Sequence, residues 1–295
     1  MLVGLILCAG CAGSSTDHKY IKAADVLDKI IDGEDVVFSE KHIVGDLDFF
    51  NAGKGLKVTS LAHSRIQSEI MFVDCVFEGE VRMSGSLEVA NQIVACDFLS
   101  DVSFVGCTFM KDVNMSQARF RGRLEIMQCV MREGMTMDGA RCEGGLVMNK
   151  TEVWGRWMAC GTTFGDGTSM KSCQWKQDMI MQRSRMVGGA MMADSKMGGY
   201  VDLSGLRVEG DMNIANCQLT GRVEMREGWL GGKVNMAKAR FMNNVTIENV
   251  VVLGQIEMRG TRFDKGGTVR GSHLLTMPES GDRDIAASET DEITQ

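Results

Sequence analysis

The sequence has little of what catalytic and metal sites are usually built from. It contains four histidines in 295 residues, His18, His42, His63 and His273, and they show no metal-ligand spacing. There is no nucleophile elbow, no glycine loop that would cradle a phosphate, and no paired histidine and carboxylate. We therefore expect no catalytic residue, no metal and no cofactor, and we expect the protein not to be an enzyme.

Outside the C-terminal segment the chain also has little excess of either positive or negative charge. The formal net charge is −7, but residues 271–295 hold six acids against Arg283, so the rest of the chain carries only about −2. No basic run predicts a nucleic-acid partner. Proline occurs once, at Pro278, in this same polar segment. The segment 266–295 is therefore predicted to be an acidic, disordered tail.

What the sequence does contain is one apolar position that returns every eleven residues from Phe98 to Phe263. Three further apolar or small positions follow it at offsets of four, six and nine, as Val102, Phe104 and Cys107 follow Phe98. None of these positions in the fifteen complete repeats carries Asp, Glu, Lys or Arg. The repeat therefore predicts a continuous buried surface rather than a chance pattern.

The offsets leave gaps of four, two, three and two residues. Gaps of two are typical of strands, in which alternate side chains share a face, whereas an eleven-residue helical repeat has no use for them. Each unit is thus predicted to be two short strand segments and two corners. Because one unit cannot bury its apolar side alone, units must stack as coils with parallel pairing.

The stretch "CTFMKDVNMSQARFRGRLEIMQC" resembles the pentapeptide-repeat family, in the branch that alternates five- and six-residue units. Met replaces Phe or Leu at many central positions, which departs from the family pattern. The resemblance covers about residues 34–265. It implies an all-β fold, a right-handed quadrilateral parallel β-helix of about ten coils, each made of two repeats. A rod of this kind would be about 48 Å long.

The segments on either side of the repeat are assigned from their composition. The apolar run "MLVGLILCAGC", residues 1–11, is too short to span a bilayer and resembles a bacterial lipoprotein signal peptide with Cys11 as the acylated residue. The run has no Lys or Arg at its start, and Cys8 stands where Leu is usual. Residues 12–20 are predicted to be a flexible tether.

Residues 21–33 are predicted to be a short N-terminal capping helix that buries Ile21, Ala24, Leu27 and Ile31 over the open end of the coils. Ile43, Leu47, Phe49 and Ala52 already obey the offsets. Residues 53–65 are expected to be irregular. The repeat is expected to resume at Ile66 and to lose one residue between Phe77 and Leu87.

Cysteine and methionine fall largely at inward positions. Offset-nine cysteines separated by two repeats should stack, so Cys107 with Cys129 and Cys75 with Cys96 are predicted neighbours, and whether either pair is bonded is left open. We favour the interpretation that these cysteines are unbonded and serve as small residues of the core. Ten methionines at offset six are interpreted as core filling rather than as a copper site. Cys160 lies one position past an inward offset and is a candidate reactive thiol or intermolecular link.

Trp154, Tyr200 and Trp229 fall at outward offsets and are a candidate contact surface. The favoured function is a lipid-anchored protein of the bacterial envelope whose rod is a structural or protein-interaction module. By resemblance to lipoprotein sorting, it would sit in the outer membrane and face the periplasm. Its expected partners are the membrane, through a lipid on Cys11, and an unidentified envelope protein, and end-to-end or face stacking of copies is considered. The alternative is a cytoplasmic DNA mimic of the same family that binds a type II topoisomerase.

Overall fold

The computed structural model describes residues 19–50, 63–87, 92–274 and 291–293. Over these residues the chain is a β-solenoid of about ten stacked coils with four flat faces, which we number 1 to 4 in the order in which each coil visits them. Strands of successive coils pair in parallel on every face, as Phe98 does with Phe120. The predicted fold class, all-β with parallel stacked coils and one short helix near the N-terminus, is confirmed.

Within the described part of the chain, faces 1 and 2 each hold eleven strands. Face 1 consists of β1 (Tyr20–Lys22), β3 (His42–Val44), β7 (Val76–Phe77), β12 (Thr108–Phe109), β16 (Val130–Met131), β20 (Glu152–Val153), β23 (Gln174–Trp175), β27 (Lys196–Met197), β31 (Gln218–Leu219), β35 (Arg240–Phe241) and β39 (Arg262–Phe263). Face 2 consists of β4 (Leu47–Asp48), β8 (Val81–Arg82), β13 (Val113–Asn114), β17 (Met135–Thr136), β21 (Trp157–Met158), β24 (Met179–Ile180), β28 (Val201–Asp202), β32 (Val223–Arg226), β36 (Val245–Glu248), β40 (Gly267–Arg270) and β42 (Asp291–Ile293).

Faces 3 and 4 complete each coil. Face 3 consists of β5 (His63–Ile66), β10 (Gln92–Phe98), β14 (Arg119–Phe120), β18 (Arg141–Cys142), β22 (Thr163–Phe164), β25 (Arg185–Met186), β29 (Arg207–Val208), β33 (Trp229–Leu230), β37 (Val251–Val252) and β41 (His273–Leu274), with β9 (Ser84–Leu87) paired to β10. Face 4 consists of β2 (Val36–Ser39), β6 (Ile70–Val73), β11 (Val102–Val105), β15 (Leu124–Met127) and β19 (Leu146–Val147), then β26 (Ala190–Met191), β30 (Met212–Asn213), β34 (Val234–Asn235) and β38 (Ile256–Glu257).

The inward positions are those that the eleven-residue repeat predicts. Val102, Phe104, Cys107 and Phe109 are each 0% exposed, and the same offsets are buried in the following coils as far as Val223. From there to Val252 the offset-six residues Met225, Met236 and Ile247 are partly buried and pack against the core. Equivalent rings stack face to face along the axis, with Phe98 and Phe120 5.0 Å apart between centroids and only 2° from parallel. The core is therefore a set of continuous side-chain columns in which each coil covers the one before it.

Each coil consists of two eleven-residue repeats from Phe98 onward, but the coils before that point are longer. Phe98 pairs with Ile66 and Phe77 pairs with Ile43, so these coils exceed the regular one by ten and by twelve residues. The expected loss of one residue between Phe77 and Leu87 is wrong, because ten residues are gained between Met83 and Cys96. They form the antiparallel hairpin of β9 and β10.

The hairpin leaves the corner of the coil unchanged. At a regular corner Ala118 N–H donates to the carbonyl oxygen of Met115 over 3.1 Å. At the hairpin, Cys96 N–H donates to the carbonyl oxygen of Met83 over 2.9 Å. The inserted residues therefore leave and return at one point of the coil, and the parallel ladder continues beneath them.

The capping helix α1 spans Ala23–Ile31, which is shorter than residues 21–33, and Tyr20–Lys22 form strand β1 instead of the end of a tether. The predicted helix face is partly wrong. Ile21, which belongs to β1, and Leu27 pack against the core, but Ala24 and Ile31 are exposed, and the buried residues of the helix are Ala23, Val26 and Ile30. Within the described residues, no helix has the length and apolarity needed to cross a membrane.

Three further boundaries differ from expectation. Residues 63–65, predicted to be irregular, belong to β5, while residues 53–62 and Ala52 lie outside the described residues. The coils continue past residue 265 through β40 and β41. Asp291–Ile293 of the acidic tail pair antiparallel with β40.

Candidate interaction surface

Face 3 carries an outward column of arginines that the linear sequence conceals. The residue that precedes each inward side chain on a strand points outward. On face 3 this position places arginines on neighbouring strands about 4.8 Å apart. We call the outer surface of β5, β10, β14, β18, β22, β25 and β29, together with the residue that follows each inward side chain, the arginine face. Its cations are Arg65, Arg119, Arg141, Arg185 and Arg207 in the column and Arg121 after Phe120.

Three acids lie among these six arginines, namely Asp97, Glu143 and Glu209. The arginine face therefore has a formal charge of +3 on a chain of net charge −7. Arg65, Arg121, Arg141, Arg185 and Arg207 are exposed, and Arg119 is half-buried. By the same count face 1 also carries +3, so positive charge lies on two of the four faces of an acidic molecule, which the low net charge of the repeats did not predict.

Asp97 is held most firmly of the three acids. Its side chain is buried, and Arg121 donates to both of its oxygens, from Nε to Oδ1 over 2.9 Å and from Nη2 to Oδ2 over 2.8 Å. The Nε atom of Arg65 lies 3.9 Å from Oδ2. The hydrogen bond with Asp97 raises the pKa of Arg121. One carboxylate therefore orients two guanidinium groups and leaves one positive charge in excess.

The other two acids repeat this arrangement further along the rod. Arg119 Nε donates to Glu143 over 2.7 Å, and Arg185 Nε donates to Glu209 over 2.8 Å. Arg207 Nε also lies 3.5 Å from Glu209, whose pKa is lowered mainly by the hydrogen bond from Arg185. Arg141 is exposed, and within the described residues it forms no ion pair.

Apolar and aromatic side chains lie among the arginines of face 3 and beyond them. The guanidinium carbon of Arg207 lies 4.2 Å from the ring centroid of Trp229, a cation–π distance. Val187 and Leu253 follow the inward residues of β25 and β37 and are 41% and 37% exposed. Face 3 therefore combines oriented arginines with an amphipathic tryptophan and exposed aliphatic groups on one flat ladder.

The other two aromatics of the predicted contact surface lie elsewhere. Trp154 follows the inward residue of β20 on face 1, Tyr200 lies at the corner between faces 1 and 2 two coils further on, and Trp229 is on face 3. Trp154 is 43% exposed, with Arg132 4.4 Å from its ring centroid. The structure does not bring these three aromatics together.

Tyr200 is held by two acids of face 2. Its hydroxyl oxygen lies 2.7 Å from Glu224 Oε2 and 3.1 Å from Asp202 Oδ2. Burial, followed by the hydrogen bond with Glu224, raises the pKa of Tyr200 well above its usual value. The phenol is thus a fixed hydrogen-bond donor at physiological pH.

Cys160, the candidate reactive thiol, is partly exposed next to Asp138. Its backbone N–H donates to Asp138 Oδ1 over 2.8 Å. Burial and then the charge of Asp138 raise the pKa of its thiol. Because the thiolate is the nucleophile, this environment lowers the reactivity of Cys160 at neutral pH. Cys11, the predicted lipidation site, lies outside the described residues.

All eight described cysteines are free, and five inward thiols donate hydrogen bonds to backbone carbonyls, namely Cys75, Cys107, Cys129, Cys173 and Cys217. Cys107 Sγ donates to the carbonyl oxygen of Phe72, and Cys129 Sγ to that of Phe104, each over 3.3 Å. Cys75 stacks below Cys107 in this column. The predicted pairing of Cys75 with Cys96 is wrong, because the inserted hairpin shifts the register and places Cys96 beside Ser64 on face 3.

Seven of the ten offset-six methionines are buried in the core, and Met225 and Met236 pack against it. Among the described residues, no group of three His, Cys, Asp or Glu side chains could hold a metal ion. His42 instead contacts Glu78, with Nδ1 3.2 Å from Oε1. A shallow open groove of about 590 Å³ lies on face 1 beside Lys238, Arg240 and Arg262.

Sequence reasoning missed the arginine face, although a signal was present. Every twenty-second residue from Arg119 is Arg141, Thr163, Arg185 and Arg207. These arginines stand one residue before the inward residues of face 3. Counting only the inward positions therefore does not find the column, whereas counting the preceding residue of every second repeat does.

Comparison of the chain with protein-family models, with curated proteins and with solved structures gives no match.

Proposed function

We propose that this chain is a lipid-anchored protein of the bacterial envelope whose β-solenoid rod serves as a structural or interaction module. The observation that carries the proposal is the unbroken run of regular coils from Phe98 to Phe263, which presents flat faces rather than a walled cleft. One of these faces bears the oriented arginines and Trp229. Such a surface suits docking to an extended partner better than enclosing a small substrate.

Membership of the pentapeptide-repeat family is part of the proposal. It is supported by the four-faced coil, the register of two repeats per coil and the inward placement of Phe104, Cys107 and Phe109. The envelope location is supported by the resemblance of "CAGC", residues 8–11, to a lipobox.

The alternative, a cytoplasmic DNA mimic, needs a continuous acidic face. The acids of face 2 are instead interleaved with arginines: Arg82 bonds Asp46 over 2.8 Å, and Arg226 bonds Glu248. Face 3 is basic. The charge distribution therefore favours the envelope proposal over the mimic.

Metabolic labelling with palmitate tests the anchor. We expect the wild-type chain to take up label and to fractionate with the envelope, and the Cys11→Ser variant to lose both properties. Cys8→Ser is the matched control and should keep the label, because it alters a thiol three residues away. Equal labelling and the same location in Cys11→Ser and wild type would refute the anchor.

A further inference from the structure

The arginine face and the apolar residues beyond it have the size and shape of a membrane-binding surface. From β5 to β37 face 3 is a nine-strand parallel ladder, which at about 4.8 Å per strand is about 38 Å long. In the regular coils from β14 to β37 no loop is inserted into it. A flat surface of this length can touch many lipid headgroups at once.

The charges on this surface suit anionic headgroups. Each of Asp97, Glu143 and Glu209 lies on the arginine face and fixes a neighbouring guanidinium, so cations remain in excess by three. Guanidinium groups bind phosphate oxygens through paired N–H donors. Orienting them beforehand reduces the side-chain entropy that is lost on binding.

The apolar residues suit the region just below the headgroups. Tryptophan is enriched at membrane–water interfaces because its ring is amphipathic. Trp229 stacks with Arg207, and Leu253 and Val187 expose aliphatic groups on the same side. A purely electrostatic partner would need no such residues, whereas an interfacial surface combines basic and apolar groups.

We propose that face 3, through its arginines and Trp229, docks onto the surface of a bilayer containing anionic phospholipid. The inference deepens the proposed function and rests on it for its setting: a lipid on Cys11 would hold the chain at a membrane, and face 3 would lay the rod against it. The lipid would tether one end of the chain, and face 3 would add a second attachment along the rod.

The test uses the full-length chain with Cys11→Ser, so that no lipid is attached, in flotation with phospholipid vesicles. We expect binding to vesicles that contain phosphatidylglycerol, weakening as salt rises, and no binding to phosphatidylcholine alone. Replacing Arg185 and Arg207 together by Gln should weaken binding roughly 30-fold, since each basic residue near an anionic surface contributes about fivefold to the affinity.

The matched control replaces Arg240 and Arg262 on face 1 by Gln. These two arginines are also exposed and are register partners on neighbouring strands, and one of them pairs with an acid, Asp264. The control removes the same net charge and should leave binding within about twofold. Equal losses in both double variants would overturn the docking face, as would equal binding to neutral and anionic vesicles.

Trp229 reports the orientation of the rod. Brominated lipid should quench the emission of the wild-type chain, and Trp229→Phe should lose that quenching while Trp154→Phe keeps it.

Competition distinguishes other anionic partners: displacement by inorganic phosphate, or tighter arginine-dependent binding to duplex DNA, would overturn the lipid assignment. Vesicle binding without palmitate uptake would refute the anchor alone, and palmitate uptake without vesicle binding would refute this inference alone.

Discussion

At the scale of single residues, the small inward positions serve as hydrogen-bond donors as well as spacers. Thr151 stands in the same column as Cys107 and Cys129, and its Oγ1 donates to the carbonyl oxygen of Ile126 over 2.8 Å. It also accepts from Cys129 N–H over 3.3 Å. Cysteine, threonine and serine are interchangeable here because each is small and each has a proton to donate to the preceding coil.

The Thr151→Val variant tests this role. It keeps the volume but leaves the buried carbonyl of Ile126 and the Cys129 N–H without their partner, so we expect a loss of about 1–3 kcal/mol in the free energy of unfolding. Thr151→Ser keeps the hydroxyl and should lose only about 1 kcal/mol for the missing methyl. Denaturant unfolding measures both, and a valine variant as stable as the serine variant would contradict the account.

The buried thiols also predict a pH dependence. Burial raises the pKa of Cys142 from 9.0 to about 12 and that of Cys217 to about 11. A thiol whose pKa is raised in the folded state stabilises the fold fully below pH 9. Above pH 9 the unfolded chain releases its proton first, so the free energy of unfolding falls until the folded thiol also ionises.

We therefore expect stability to decline between about pH 9 and pH 12, by up to about 1.4 kcal/mol per pH unit for each such thiol. Cys142→Ala should make this decline shallower, because unfolding of the variant then releases about one proton fewer. Phe164→Leu, which destabilises the same face without removing a thiol, should leave the slope unchanged. An identical slope in wild type and Cys142→Ala would contradict the assignment.

At the scale of elements, helix α1 closes the N-terminal end of the coils. Val26 is 0% exposed in the shared core, while Ala24 is exposed. Val26→Asp should destabilise the rod by several kcal/mol, because an unpaired carboxylate would be buried at the end of the stack. Ala24→Asp should change stability by less than about 0.5 kcal/mol. The reverse order, measured by thermal unfolding, would support the helix face that the sequence predicted.

The sequence misplaced that face for a physical reason. The prediction counts Ile21 as the first helical residue, but its backbone pairs with Ile43 in β1 and β3, and the helix begins only at Ala23. The predicted apolar face was counted from Ile21, whereas the helix begins at Ala23. Because each helical residue is rotated relative to the one before it, counting from the wrong residue places the apolar face on another side of the helix. A strand of three residues carries too little pattern to be recognised beside a helix.

The hairpin of β9 and β10 escapes prediction for a related reason. The repeat shows only how the spacing of the inward residues differs before and after an insertion. Ten residues inserted at one corner are close to one eleven-residue repeat, so they look like the loss of a single residue. In both long coils the register of the described strands shows that more residues separate face 2 from face 3 than in a regular coil, after Phe49 and after Met83. Only the pairing of Cys96 with Ser64 reveals the correct column.

At the scale of the whole molecule, the inward columns were predictable and the outward ones were not. Burial excludes charge at every inward offset, so the repeat is visible in one sequence. Outward residues obey no such constraint, and the arginine column is interrupted by Thr163 and followed by Trp229. The arginine column can be recognised only when it is known that two repeats make one coil and that each coil has four faces.

The central claim is that the chain advances by one strand spacing for every two eleven-residue repeats. Spin labels at Thr108→Cys with Gln218→Cys, and at Thr108→Cys with Arg262→Cys, lie on face 1 five and seven strands apart. With Cys8, Cys11 and Cys160 replaced by Ser, pulsed dipolar spectroscopy should give backbone separations of about 24 Å and about 34 Å after allowance for the labels. Separations that fail to increase by about two strand spacings between the pairs would contradict the stacked coils, and the arginine face with them.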